Sequence, residues 1–144
     1  MGDVATKVIA SFHKEDPKAV IWKALDGWLD KVEPTASDLL ICVYERPSIM
    51  KFKNALGKDV EFDTSSTSRT KEDKFQGTVG LVVKVGPSAS EHAGNFKDGK
   101  MPEVGDWVSV QVGTCISFTL GERMMRLVQA NFVRLTLTDP DCII

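Results

Sequence analysis

Residues 76–87 read QGTVGLVVKVGP, and this stretch predicts a β-strand with a sharp end. Valine and leucine dominate it, and such side chains favour extended backbone. The closing Gly-Pro pair ends the strand because proline cannot donate a hydrogen bond to the ladder. Farther along, residues 104–108 read VGDWV, in which the Gly-Asp pair makes a tight turn into the next strand. The chain is therefore expected to consist of short strands joined by glycine-containing turns.

Further strands are predicted on both sides of these stretches, at residues 38–44, 107–112, 115–120, 123–128 and 131–138. In the second of them, alternation places Trp107 and Ser109 on one face and Val108 and Val110 on the other. Six residues are expected to be mostly buried in the core, namely Val79, Leu81, Val83, Trp107, Val108 and Val110. Several short strands with glycine-rich turns are typical of a small barrel or sandwich. The sequence therefore predicts a mainly β domain over residues 38–144.

The composition is that of an ordinary folded protein. The 144 residues are 42% hydrophobic and 26% charged, which argues against wholesale disorder. With a formal net charge of -2, the chain lacks the basic excess that binding to a nucleic-acid backbone requires. Its apolar stretches are much shorter than the roughly 20 residues of a membrane-spanning helix. The first residues carry charges and no apolar signal core, so we expect no secretion.

An N-terminal extension, residues 1–37, precedes the strands and is predicted to contain an amphipathic helix over residues 16–32. Asp16 is suited to cap this helix, and Pro17 suits its first turn, where an N–H would have no partner. Apolar side chains then recur at helical spacing and form one stripe. Such a stripe buries itself either against its own domain or against a neighbouring subunit, and both alternatives remain open. The candidate contact residues on the stripe are Val20, Leu25, Trp28 and Leu29.

Residues 48–75 are polar and irregular, and they predict a long loop between two strands. A stretch of this length without secondary structure is uncommon inside a compact domain and usually has a function. We expect the loop to contact a partner, and its candidate contact residues are Phe52, Leu56, Val60 and Phe62.

The sequence offers no arrangement typical of an enzyme or a metal site. His13 and His92 both lie in polar surroundings, and no serine stands in the Gly-x-Ser-x-Gly turn of a nucleophile. Cys42, Cys115 and Cys142 are an odd number at unrelated spacings, which argues against a disulfide framework and against a zinc site. We therefore expect a non-enzymatic protein of a reducing cytoplasm, without a metal or a cofactor.

The order of the motifs resembles the GroES-like co-chaperonins, and more specifically those that phages encode. Members of this family have an opening strand, a long loop, and then strands of the kind found at residues 76–87 and 104–108. Residues 69–77 and 138–141 look similar to the phage-encoded members in particular. The resemblance covers residues 38–141 and implies a GroES-like small β-barrel with a loop that docks on a large chaperonin ring.

The docking loop of that family corresponds to residues 57–63, where this sequence differs in three places. Lys58 replaces a glycine, Glu61 interrupts an apolar tripeptide, and Asp63 replaces a proline. A carboxylate placed in an apolar groove without a partner costs several kcal/mol, roughly enough to abolish a modest interaction. The differences favour another use of the same fold.

Two hypotheses about function follow from the resemblance. The first is a non-enzymatic structural protein of a phage particle, a capsid decoration, cement or connector protein. It would bind virion proteins such as the major capsid protein through its N-terminal helix and long loop, first in the host cytoplasm and then in the virion. The alternative is a phage co-chaperonin that caps a chaperonin ring through residues 57–63, with Val60 and Phe62 as anchors. An oligomer is expected, with neither nucleic acid nor membrane as a partner.

Overall fold

The structure is a computed structural model that describes residues 15–45, 49–53, 56, 59–63 and 78–142. For residues 49–53 and 59–63 it describes the backbone alone. Parts of the sequence predictions lie outside the described residues: the first 14 positions of the extension, His13, most of the predicted loop, and the side chains of Phe52, Val60 and Phe62.

The described residues contain one α-helix and eight strands. The helix α1 spans Pro17–Leu25. The strands are β1 (Asp38–Val43), β2 (Ile49–Lys53), β3 (Asp59–Asp63), β4 (Val79–Val85), β5 (Trp107–Val110), β6 (Ile116–Leu120), β7 (Arg123–Gln129) and β8 (Val133–Leu137). Six of them form one antiparallel sheet in the order β6-β7-β1-β4-β5-β8, while β2 pairs with β3. The prediction of a mainly β fold is confirmed.

The central strand β1 is buried on both faces of the sheet. Leu40 and Cys42 belong to one hydrophobic cluster, here called the helix-side core, because α1 contributes to it. Leu39 and Ile41 belong to a second cluster, the far-side core. The two sets alternate along β1, as the period of two in a strand requires. The core of the molecule therefore lies on both sides of the sheet.

The predicted core residues are confirmed. Their exposed fractions are 8% for Val79, 0% for Leu81, 3% for Val83, 2% for Trp107, 0% for Val108 and 2% for Val110. The alternation predicted for β5 is confirmed too, since Trp107 lies in the helix-side core while Val108 and Val110 lie in the far-side core. The prediction that this strand continues to residue 112 is wrong. Residues Val112–Thr114 form a 3-10 turn, in which the Thr114 amide donates to the Gln111 carbonyl.

The N-terminal helix packs against the sheet of its own chain. Asp16 caps it as expected, because its side chain accepts a hydrogen bond from the Lys18 amide at 3.1 Å. Ile21 and Leu25 are buried in the helix-side core, with exposed fractions of 1% and 0%. Beyond the helix, Lys84 on β4 holds the chain by donating to the Val32 carbonyl at 2.8 Å. Residues that the sequence assigned to a separate extension thus share the core of the sheet.

The helix is shorter than the predicted span of residues 16–32. It ends at Leu25, and Gly27 adopts a positive φ of 79°. This conformation belongs to the left-handed region, which glycine adopts without steric cost and which a helix cannot continue through. A separate 3-10 turn, Leu29–Lys31, follows. The glycine therefore acts as a terminator where the sequence prediction treated it as a weak helix residue.

Candidate partner-binding site

The predicted loop of residues 48–75 contains a β-hairpin. Strands β2 and β3 pair antiparallel from Ile49 to Asp63, and their turn contains Leu56, whose exposed fraction is 82%. The prediction of an irregular segment is therefore wrong for these residues. The hairpin is inserted between β1 and β4, which are neighbours in the main sheet. Residues 49–63, here called the inserted hairpin, thus extend from the connection between two central strands.

The register of the inserted hairpin sorts its positions by polarity. Met50 pairs with Phe62, and Phe52 with Val60. The intervening pairs are Lys51 with Glu61 and Lys53 with Asp59. Because successive positions of a strand alternate between faces, these four apolar positions share one face, and the charged pairs share the other with the pair Ile49 and Asp63. A pair of opposite charges directly across two antiparallel strands stabilises the pairing by about 0.2–1 kcal/mol. The charged pairs therefore favour this register, and so does the clustering of apolar positions on the other face.

Two neighbouring residues hold the chain where it leaves β1 for the inserted hairpin. Tyr44 has an exposed fraction of 5%, and its hydroxyl donates a hydrogen bond to Asp141. Its ring meets Trp107 edge to face, with 5.4 Å between the ring centroids. The next residue, Glu45, forms an ion pair with Arg123 at 2.9 Å. The start of the insertion is therefore fixed by side chains from three separate parts of the chain.

Arg123 connects this point to the turn between β6 and β7. Its guanidinium pairs with Glu45 and also donates to the Val43 carbonyl at 3.1 Å. Cys42 lies nearby, and burial raises the pKa of its thiol, an effect that the Arg123 charge partly opposes. A thiol in this condition stays protonated and unreactive near neutral pH. The region is thus structural and contains no activated nucleophile of this type.

The candidate contact residues of the helix divide into buried and exposed ones. Leu25 has an exposed fraction of 0%, and Leu29 is partly buried against the helix-side core. Their contacts are therefore made within the chain, and Leu25 is removed from the candidate partner residues. Val20 and Trp28 remain, with exposed fractions of 39% and 42%. Amphipathic spacing identifies a buried stripe but does not separate the centre of that stripe from its rim.

Trp28 lies at the rim and packs on the turn between β6 and β7. A Cβ placed on Gly121 would lie 3.0 Å from the indole nitrogen, so a larger residue at this turn requires Trp28 to shift. The Lys31 ammonium lies 5.0 Å from the centroid of the Trp28 ring, within the range of a cation–π contact. The exposed part of the indole is therefore held in a fixed position at the surface.

An open groove lies beyond the end of β4. Its volume is ≈ 330 Å³, and its apolar lining comes from Val85, Pro87, Met101, Pro102 and Val104. The polar side chains in the lining are Ser90 and Glu103. An enzyme site normally combines an apolar pocket with several convergent polar groups, and this groove lacks such a set.

The described part of the chain contains no cluster of side chains that could hold a metal ion. Within residues 15–45 and 78–142, no three His, Cys, Asp or Glu side chains are arranged to hold a metal ion. None of the helices found in these ranges has the length and apolar character needed to cross a membrane. The inserted hairpin is therefore the candidate site that stands out among the described residues.

Comparison with known proteins found no family model and no curated protein that matches this chain. Inference about its function depends on its own residues.

Proposed function

We propose that this protein is a non-enzymatic structural protein of a phage particle, of the capsid decoration, cement or connector type. The observation that supports the proposal is the amphipathic register of the inserted hairpin. A two-stranded hairpin is at most marginally stable in water by itself, and one with an apolar face gains stability when a partner covers that face. The occupant we propose is a neighbouring virion protein such as the major capsid protein.

The fold we propose is a GroES-like small β-barrel. Its support is the order of the strands, with a long insertion between β1 and β4 and a Gly-Asp turn before β5. The antiparallel pairing of six short strands in one sheet also supports the proposal. Under this proposal the protein is made in the host cytoplasm and then resides in the virion.

A specific observation also favours the alternative, a phage co-chaperonin that caps a chaperonin ring. In sequence, Glu61 stands between Val60 and Phe62, which speaks against docking into an apolar groove. In the hairpin register, Glu61 pairs with Lys51, while Val60 and Phe62 occupy positions on the opposite face. An apolar pair without a carboxylate is thus available for docking by this route too.

An oligomer is proposed under either function. The strands β6 and β8 are the two outer strands of the described sheet. Ile116 on β6 and Leu135 on β8 have exposed fractions of 67% and 53%. Neither strand has a second neighbour in the described sheet, so each can pair with a strand of another chain.

Co-sedimentation separates the two functions. The purified protein is mixed either with phage capsids that lack it or with a large chaperonin ring and nucleotide. The test variant carries Val60→Ser with Phe62→Ser, and the matched control carries Lys51→Ser with Glu61→Ser on the other face. We expect capture by capsids that the test variant loses and the control variant keeps.

The remaining outcomes are also decisive. Nucleotide-dependent capture by the ring, lost in the same test variant, would replace the structural function with the co-chaperonin function. Equal capture of both variants by capsids would show that the apolar face of the hairpin is not the contact. Capture by neither particle would overturn both proposals.

A further inference from the structure

The C-terminal turn contacts the residue from which the inserted hairpin leaves the sheet. Tyr44 and Asp141 are 97 positions apart in sequence, and the Tyr44 hydroxyl donates to the Asp141 carboxylate. Tyr44 is also the first residue after β1, and its amide donates to the Val79 carbonyl at 2.9 Å. One residue therefore joins the start of the insertion, the strand where the chain returns, and the end of the described chain.

The C-terminal turn is built to present Asp141 in a fixed position. Residues Pro140–Cys142 form a 3-10 turn, and Pro140 is buried. The Asp141 amide donates to the Asp139 side chain at 2.9 Å, and the Cys142 amide donates to the Asp139 carbonyl at 3.3 Å. These bonds fix the backbone on both sides of the carboxylate, so the contact with Tyr44 is made by a preorganised group.

The next residue adds a second, independent anchor. Both Glu45 and Arg123 are mostly buried, with side-chain exposures of 19% and 13%. Ion pairs in such positions are screened less by salt than fully exposed pairs. The chain thus leaves the sheet between two side-chain contacts on consecutive residues, and its direction at this point is determined by both.

We propose that the C-terminal turn is a strap that fixes the direction of the inserted hairpin through the Tyr44–Asp141 hydrogen bond. Loosening the strap loosens the hairpin, because Tyr44 contacts the C-terminal turn and also begins the connection to the hairpin. Coupling between sites is reciprocal, so a partner that orders the hairpin also tightens the C-terminal turn. The proposal concerns the free protein and does not depend on which partner the hairpin binds.

Amide hydrogen exchange on the free protein tests the strap. The test variants are Tyr44→Phe, which keeps the ring and removes the hydroxyl, and Asp141→Ala. The control is Asp30→Ala, which removes an exposed carboxylate from the turn after α1. We expect both test variants to raise exchange roughly tenfold at the amides of β2 and β3 and at residues 141 and 142, which corresponds to about 1.4 kcal/mol of local opening free energy. The control should leave exchange in both segments unchanged.

The double variant shows whether the bond itself carries the coupling. If the hydrogen bond carries the coupling, Tyr44→Phe with Asp141→Ala should raise exchange by less than the product of the two single effects. Faster exchange at residues 141 and 142 with no change in β2 and β3 would overturn the proposal, because the turn would then be anchored without controlling the hairpin. Unchanged exchange in both segments would overturn it too. Neither result predicts the outcome of co-sedimentation, because hydrogen exchange tests the free protein and co-sedimentation tests its binding to a partner.

Discussion

Gly86 lies where two backbone segments meet. A Cβ built on it would lie 2.5 Å from the Ala36 carbonyl oxygen and 2.8 Å from that of Asp38. Its amide donates to the Asp38 carbonyl at 2.7 Å. The Gly-Pro pair that marks the end of β4 in the sequence therefore has two separate tasks. Proline stops the ladder, and glycine allows the start of β1 to approach.

Replacing Gly86 should destabilise the protein strongly. The atoms that a methyl group would meet are backbone oxygens, so Gly86→Ala requires the chain to shift and is expected to cost about 1–3 kcal/mol. The matched control is Gly94→Ala, since a Cβ at Gly94 would meet nothing within 4 Å. Urea unfolding measures both. A midpoint for Gly86→Ala equal to that of the control would show that the two segments are not in contact.

At the scale of single elements, the strands were predictable because their signals are local. Runs of β-branched residues bounded by glycine and proline defined β4 and β5, and both alternation and burial agree with the prediction. The end of α1 was not predictable in the same way, because a glycine inside an apolar stripe is compatible with either a weak helix position or a terminator. Its backbone conformation decides between the two.

The inserted hairpin carries a local signal that the sequence prediction did not use. Residues 50–53 and 59–63 each alternate between apolar and charged positions, in the patterns MKFK and DVEFD. Both patterns have the period of a half-buried strand. The polar character of the surrounding residues 64–75 led the whole segment to be interpreted as a loop. Matching each lysine with an acid across the hairpin would have identified the register.

Docking of the helix onto the sheet gives an element-scale prediction. Ile21 is buried in the helix-side core, so Ile21→Ala removes apolar contact and leaves a cavity, with an expected loss of about 2–5 kcal/mol in the free energy of unfolding. Val20→Ala is the control, because Val20 is partly exposed and its truncation should cost little. Thermal or urea unfolding of the purified protein measures the difference. Equal losses for the two variants would show that α1 does not pack through the Ile21 face.

For the whole molecule, the order of the strands brings together residues that are far apart in sequence. β1 pairs with β4 and β7, and β5 pairs with β8, so the middle and the end of the chain meet in one sheet. Local patterns contain no information about such pairings. The resemblance to a known family supplied an expected strand order, whereas the contact between Tyr44 and Asp141 could be found only in three dimensions.

The outer strands give a prediction about assembly. If β6 of one copy pairs with β8 of the next, then Ile116→Lys and Leu135→Lys should each convert the oligomer to a monomer, because an edge lysine opposes strand pairing. Light scattering measures the mass, and Val104→Lys, on the groove, is the control that should remain oligomeric. A mixture of the two edge variants should give dimers, since each retains one intact edge. Wild-type mass in both edge variants would show that the contacts lie elsewhere.

The insertion between β1 and β4 also has a consequence for the evolution of this protein. The hydrogen bond from the Tyr44 amide to the Val79 carbonyl closes the insertion at its base. The chain between these two residues is therefore a single insertion into the sheet. The entropy of closing a flexible loop grows only with the logarithm of its length, and doubling that length costs about 0.6 kcal/mol. Relatives of this chain can therefore lengthen, shorten or replace the hairpin with little effect on the core beneath it. If the hairpin binds the partner as proposed, partner choice can change without a change in fold stability, and the insertion is where sequences should diverge fastest.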